Sequence, residues 1–108
     1  MSFRFMRVVV FFDLPTETAE ERRDYRRFRA ALLKNGFFMM QESVYSKIIL
    51  NNTAANVIKE TVRKLKTGKG LIQMLTVTER QFENMEFVLG KKQSTVVDTA
   101  ERLSLIHI

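Results

Sequence analysis

Cysteine and tryptophan are absent from this 108-residue sequence, and proline and histidine occur once each, as Pro15 and His107. Without cysteine there is no disulfide framework, no thiol nucleophile and no Cys-ligated zinc. One histidine argues against a Ser-His-Asp triad, and a single chain cannot assemble a multi-histidine metal site. Long apolar runs are missing as well. The longest strongly apolar stretch, Val8 to Phe12, falls far short of the ~20 residues that a bilayer-spanning helix needs. It is also too short for the core of a secretory signal, and Asp13 follows it directly. These absences set the expectation of a soluble, cytoplasmic protein with no membrane association. Positive charge is what the sequence has in surplus: 18 Lys and Arg against 12 Asp and Glu, a formal charge of +6. Such a balance favours an anionic partner, most simply nucleic acid. The length suits one domain, and a hydrophobic content of 45% is enough for a real core.

The hydrophobic pattern divides the chain into alternating elements. MRVVVFF, from Met6 to Phe12, reads as a central strand covered on both faces, because its apolar run is continuous rather than alternating. Asp13-Leu14-Pro15 ends it, since proline cannot continue a ladder. Thr18 with Glu21 three residues later forms a capping box for a helix whose buried stripe is Tyr25, Phe28 and Leu32, with Gly36 as its C-terminal cap. Phe37 to Leu50 reads as one long strand bent near Glu42, because Gln-Glu-Ser is poor chemistry for a tight hairpin. Asn51 to Thr53 supplies caps for a second helix with the stripe Ala54, Val57, Ile58, Thr61, Val62 and Leu65. Leu71 to Val77 is a strand, Thr78 with Gln81 caps a short helix, and Met85 to Leu89 is a further strand. A polar connection (91–101) and a terminal strand (102–108) follow a core of residues 1–90. The order is βαββαβ if the middle segment is split in two. The fold class expected is α+β: one ferredoxin-like domain over residues 1–108, an antiparallel sheet with helices on one face.

Candidate chemistry is sparse. The aspartates are Asp13, Asp24 and Asp98. Asp13 stands apart because it ends a buried strand, where a rigid element can project a carboxylate into a cleft. Two roles are open to it: satisfying backbone N–H groups of the turn before the helix, or holding Mg²⁺, which takes one or two carboxylates and keeps several waters. A symmetric dimer would bring two copies of Asp13 together. The first helix carries Arg22, Arg23, Arg26, Arg27 and Arg29 beside its apolar stripe. They are either phosphate contacts or a solvated face paired with Glu20, Glu21 and Asp24; Arg26 and Arg29 have no acid three or four residues before them. Lys64, Lys66 and Lys69 form a weaker second basic cluster. Neither GxxxxGK[ST] nor GxGxxG occurs, and LIQMLTV lacks the aromatics that an RNA-recognition motif stacks on bases.

The strand end VVVFFDLPT, the turn KNGF and the strand SVYSK, followed by LTVTERQFENM and the tail ERLSLIHI, resemble the family of CRISPR-associated protein 2 in their order and spacing. The resemblance covers nearly the whole chain and is closest to the form from single-effector systems. It implies a ferredoxin-like homodimer whose terminal strand packs on the other copy. It also implies a part in spacer acquisition, with the dimer holding duplex prespacer DNA and bridging CRISPR integrase subunits. Members are also described as metal-dependent endonucleases of RNA or DNA; the carboxylate credited with Mg²⁺ binding and catalysis corresponds to Asp13. Nucleic-acid contacts are carried over to Arg22, Arg23, Arg26, Arg27 and Arg29. A toxin-like metal-dependent ribonuclease on the same fold is the alternative.

Overall fold

A computed structural model describes residues 5–65 and 67–91. Along them run β1 (Met6–Asp13), α1 (Ala19–Lys34), β2 (Phe38–Gln41), β3 (Val44–Ile49), α2 (Asn52–Arg63), β4 (Leu71–Thr78) and α3 (Glu79–Glu83). The strands form one antiparallel sheet in the order β2-β3-β1-β4. With α1 and α2 in the two crossovers this is the βαββαβ arrangement of a ferredoxin-like domain, and α3 is appended after the last strand. The expected terminal strand and most of the connection before it lie outside the described residues, as does Lys66.

Local sequence sets the helix ends. At the start of α1 the Thr18 hydroxyl accepts the Glu21 N–H (3.0 Å) while the Glu21 carboxylate accepts the Thr18 N–H (3.1 Å), the reciprocal pair that the spacing predicts. At its end Gly36 adopts φ +91°, which lets the Gly36 N–H reach the Leu33 carbonyl and the Phe37 N–H reach that of Leu32, closing a Schellman motif. The Asn51 side chain accepts the Ala54 N–H to start α2, and Thr78 with Gln81 repeats the capping box for α3.

The core lies between α1, α2 and one face of the sheet. Val8, Val10 and Phe12 of β1 point into it with Tyr45 and Ile49 of β3, against Phe28 and Leu32 of α1 and Ala55 and Val62 of α2. Phe12 is the hub, its ring centroid 5.0 Å from that of Phe28, 5.5 Å from Tyr45 and 5.8 Å from Tyr25. Alternation sends Arg7, Val9, Phe11 and Asp13 to the opposite face, together with Ser46 of β3 and Leu71, Gln73 and Leu75 of β4. There the strand is covered only in part: Arg7 and Val9 are buried, but Phe11 is 37% exposed.

Three expectations are corrected. Phe37 to Leu50 is a hairpin rather than one bent strand. Gln41 pairs with Val44 across a Glu42-Ser43 turn, and the irregularity expected near Glu42 is a register shift between Met39 and Gln41. Ser43 takes φ +70°, and its carbonyl accepts the Phe12 N–H (3.0 Å), so a contact to β1 holds a turn that its residues alone disfavour. In α2 the inward face is Ala54, Ala55, Ile58 and Val62, with Leu65 just past the helix; Val57 of the expected stripe falls outside it, about 200° around from Ala55 and 65% exposed. Met85 to Leu89 is not a strand, because a strand exists by pairing and these residues find no edge among the described ones; Val88 and Leu89 are almost fully exposed.

Candidate functional site

Asp13 is the last residue of β1, paired in the ladder with Leu71 of β4. The central position of β1 makes this strand end a rigid support, hydrogen-bonded from both sides. The Asp13 side chain is exposed and makes no hydrogen bond or ion pair among the described residues. The turn that follows takes its capping from elsewhere. The Glu21 carboxylate accepts the Glu17 and Thr18 N–H groups, and the Arg22 guanidinium donates to the Thr16 and Glu17 carbonyls at 3.1 and 2.9 Å. The turn-capping role left open for Asp13 is therefore filled by Glu21.

The Thr18 N–H, reinforced by the Glu17 N–H and by the Lys69 ammonium 3.7 Å away, holds the Glu21 carboxyl below its ordinary value of 4.5. A carboxyl whose folded value is depressed stabilises the fold above its unfolded value, and that contribution is lost as pH falls through the folded value. We expect the first turn of α1 to loosen on acidification below pH 4.5. Amide hydrogen exchange at Thr18 and Glu21 should report it, and Glu21→Gln should flatten the dependence.

The α1 arginines divide into two groups. Arg22 is turned back onto the turn as described, and Arg27 pairs with Asp24 at 3.3 Å on the surface. Arg23, Arg26 and Arg29 are exposed and have no hydrogen bond or ion pair among the described residues. They follow one another at three-residue spacing, so their guanidinium groups run as one oblique row along the helix. Such a row offers multiple donors to phosphate oxygens without reading a base. Two clefts, of about 300 and 430 Å³, lie between α1 and the α2–β4 connection, and Asp13 lines neither.

No three of Asp, Glu, His or Cys gather into a metal site among the described residues, so within them Asp13 belongs to no such cluster. Mg²⁺ is satisfied by one or two carboxylates with the rest water. An exposed carboxylate with no other partner among these residues fits that ion as a donor, whereas it would not complete a dehydrated, all-protein site. No helix among the described residues is long and apolar enough to cross a membrane.

One constellation escapes the sequence reading. Arg7, within the apolar β1, is 4% exposed and lies on the open face. Its Nε donates to Glu79 Oε1 at 3.0 Å, its Nη2 pairs with Glu79 Oε2, and its Nη1 donates to the Ser46 hydroxyl at 3.2 Å. The Phe82 ring lies over its guanidinium carbon, 3.8 Å from the centroid. This pair seats α3 across the Arg7 end of the sheet and leaves Phe11 and Leu71 exposed toward the Asp13 end, with Leu75 exposed opposite Val9. An arginine inside MRVVVFF was the available signal, since a buried charge must be paired.

The sequence matches the family described as CRISPR associated protein Cas2 over residues 6–85. It is 46% identical over 101 residues to the CRISPR-associated endoribonuclease Cas2 of Treponema denticola, covering 94% of this chain and 100% of that protein. The protein of the same name from Ligilactobacillus salivarius is 42% identical over 101 residues, with the same coverage. That of Streptococcus mutans serotype c is 45% identical over 98 residues, covering 91% of this chain and 90% of the relative. The match spans the strand end that carries Asp13, the arginine row and the α3 latch, and with this extent of identity the chain belongs to the Cas2 family of CRISPR-associated proteins.

Proposed function

We propose that this chain works as a homodimer in CRISPR spacer acquisition, holding duplex prespacer DNA through the α1 arginines and presenting it to integrase subunits, with Mg²⁺-dependent phosphodiester cleavage at Asp13 as a second capability. The observation that carries the proposal is the row of exposed guanidinium groups at Arg23, Arg26 and Arg29, unpaired among the described residues. The homodimer draws support from the open sheet face, where Phe11 and Leu71 near Asp13, and Leu75 further along, expose apolar surface. Two-fold pairing there would turn one carboxylate per chain into two at one site.

In this reading Arg23, Arg26 and Arg29 grip phosphates and set the register of the duplex, while Arg22 keeps the turn behind Asp13 in shape. Asp13 from each chain would hold Mg²⁺ and orient its shell of water. When bound, that ion supplies an activated water and neutralises charge developing on the phosphodiester. The relatives' name, endoribonuclease, favours RNA as the strand that is cut. Phosphate contacts from α1 do not distinguish RNA from DNA.

Binding dominated by phosphate contacts has a salt signature. About six neutralised phosphates per dimer give a slope of log K against log salt near −5. Replacing Arg23, Arg26 and Arg29 together with alanine should weaken duplex binding equally for all sequences. It should also make the slope shallower by about one unit for each phosphate no longer neutralised. Arg27→Ala should do less, since Arg27 is already paired with Asp24. The measurement is a titration of labelled duplex at several salt concentrations, and binding indifferent to salt would refute the interface.

A further inference from the structure

We infer that Gly70 is a positioning residue for Asp13: the absence of a side chain at 70 lets the chain entering β4 lie against the Asp13–Leu14 peptide and fixes where the Asp13 carboxylate points. The inference rests on the reading of Asp13 as a metal-holding carboxylate.

The α2–β4 connection contains two glycines with opposite demands. A Cβ added at Gly68 would meet nothing within 4 Å. A Cβ added at Gly70 would lie 2.7 Å from the Asp13 carbonyl oxygen, 2.7 Å from Leu14 Cδ2 and 3.1 Å from Leu14 Cα. Gly70 also has φ +104°, a backbone conformation that L side chains rarely adopt. A flexible side chain can swing away from such a contact, but the Asp13 carbonyl and the Leu14 Cα belong to the backbone and have no rotamer to change. Leu14 is buried, which blocks retreat toward the core.

The ladder makes this contact specific to the carboxylate. From Met6 to Phe12, β1 is held in register by β4, and the Phe12 N–H is held by the Ser43 carbonyl on the other side. Asp13 is the last paired residue, and the peptide after it has left the sheet. Gly70, immediately before Asp13's ladder partner Leu71, closes against that peptide. A side chain there would act on the one stretch of backbone that aims Asp13, while the paired part of the sheet could stay in place.

The test uses the full-length chain with Mn²⁺ as a spectroscopic substitute for Mg²⁺, binding being read from the electron paramagnetic resonance signal of the free ion. Asp13→Ala, Gly70→Ala and Gly68→Ala are compared with the wild type well below their thermal midpoints, with amide NMR spectra and duplex binding reporting that fold and arginine face are intact. Gly70→Ala is expected to bind Mn²⁺ at least ~10-fold more weakly while still binding duplex, as loss of a group that orients a ligand does. Gly68→Ala should match the wild type, and Asp13→Ala should lose the site. A folded Gly70→Ala that binds Mn²⁺ as the wild type does would overturn the inference and leave the Asp13 reading standing. Unchanged Mn²⁺ binding by Asp13→Ala would remove the reading itself, and this inference with it. If Gly70→Ala fails to fold, Gly70→Asn decides by the same criterion. Asparagine tolerates positive φ better than alanine but still carries the Cβ.

Discussion

Replacing Asp13 with alanine should reduce Mg²⁺-dependent cleavage by about three orders of magnitude, the scale set by losing several kcal/mol of charge stabilisation at a metal-assisted step. The reason is the poverty of the site. The Asp13 side chain is exposed, has no hydrogen-bond or ion-pair partner and belongs to no cluster of three metal-ligating groups among the described residues, so the charge it would bring to the metal has no ready substitute in such a cluster. The same isolation predicts what stays unchanged. The Asp13 side chain makes no hydrogen bond among the described residues, so its loss should leave the thermal midpoint within a few degrees of the wild type. Duplex binding should also persist, because the arginine row stands on a different element. A single-turnover assay on labelled RNA and DNA, run beside the salt titration, separates the two capabilities. Cleavage that survives in the purified variant would place the chemistry elsewhere. A paired integration assay with an integrase subunit extends the comparison: equal integration by wild type and Asp13→Ala would assign the acquisition role to binding alone.

The second large effect concerns stability. Glu79→Ala should destabilise the fold by about 3–5 kcal/mol, the cost of leaving one charge of a buried pair uncompensated. For a domain with a total of about 5–15 kcal/mol, that is a large fraction. It corresponds to a fall of more than ~10 °C in thermal midpoint for a chain of this size. Arg7 would be left buried among Val9, Ser46 and Phe82 with its fork unmatched except at Ser46. Arg7→Met combined with Glu79→Leu should recover most of the loss, because replacing both charges by apolar groups of similar volume is often neutral. The measurement is urea or thermal unfolding of the single and double variants. A Glu79→Ala midpoint within a degree or two of wild type would show that the pair contributes little.

The features legible in the sequence are those encoded over a few residues. Thr18 with Glu21, Asn51, and Thr78 with Gln81 each cap the helix that their spacing announces. Tyr25, Phe28 and Leu32 face inward as their period requires. Asp13 was visible because aspartates are few and this one ends a buried strand. What stayed hidden depends on residues distant in the chain. The Glu42-Ser43 turn is held by the Phe12 N–H, so its own composition pointed the wrong way. Met85 to Leu89 has strand composition, but composition does not provide an edge to pair with. Local spacing already separates Arg27, three residues after Asp24, from Arg26 and Arg29, which have no acid three or four residues before them; what it does not announce is that Arg22 turns back onto the Thr16 and Glu17 carbonyls while Arg23, three residues after Glu20, stays unpaired among the described residues.

The ion pair between Arg7 and Glu79 joins residues 72 apart, and β1 takes its two sheet neighbours from β3 and from the much later β4. During synthesis, then, β1 emerges before the other described strands and gains its second neighbour only when β4 arrives. Until residues 71–79 arrive, one of its edges is bare and its arginine lacks the Glu79 counterion. Non-local pairing of this kind slows folding and lengthens the interval in which such an edge can capture another chain. Yield at high expression temperature should therefore depend on how quickly β4 docks as much as on the final stability of the sheet.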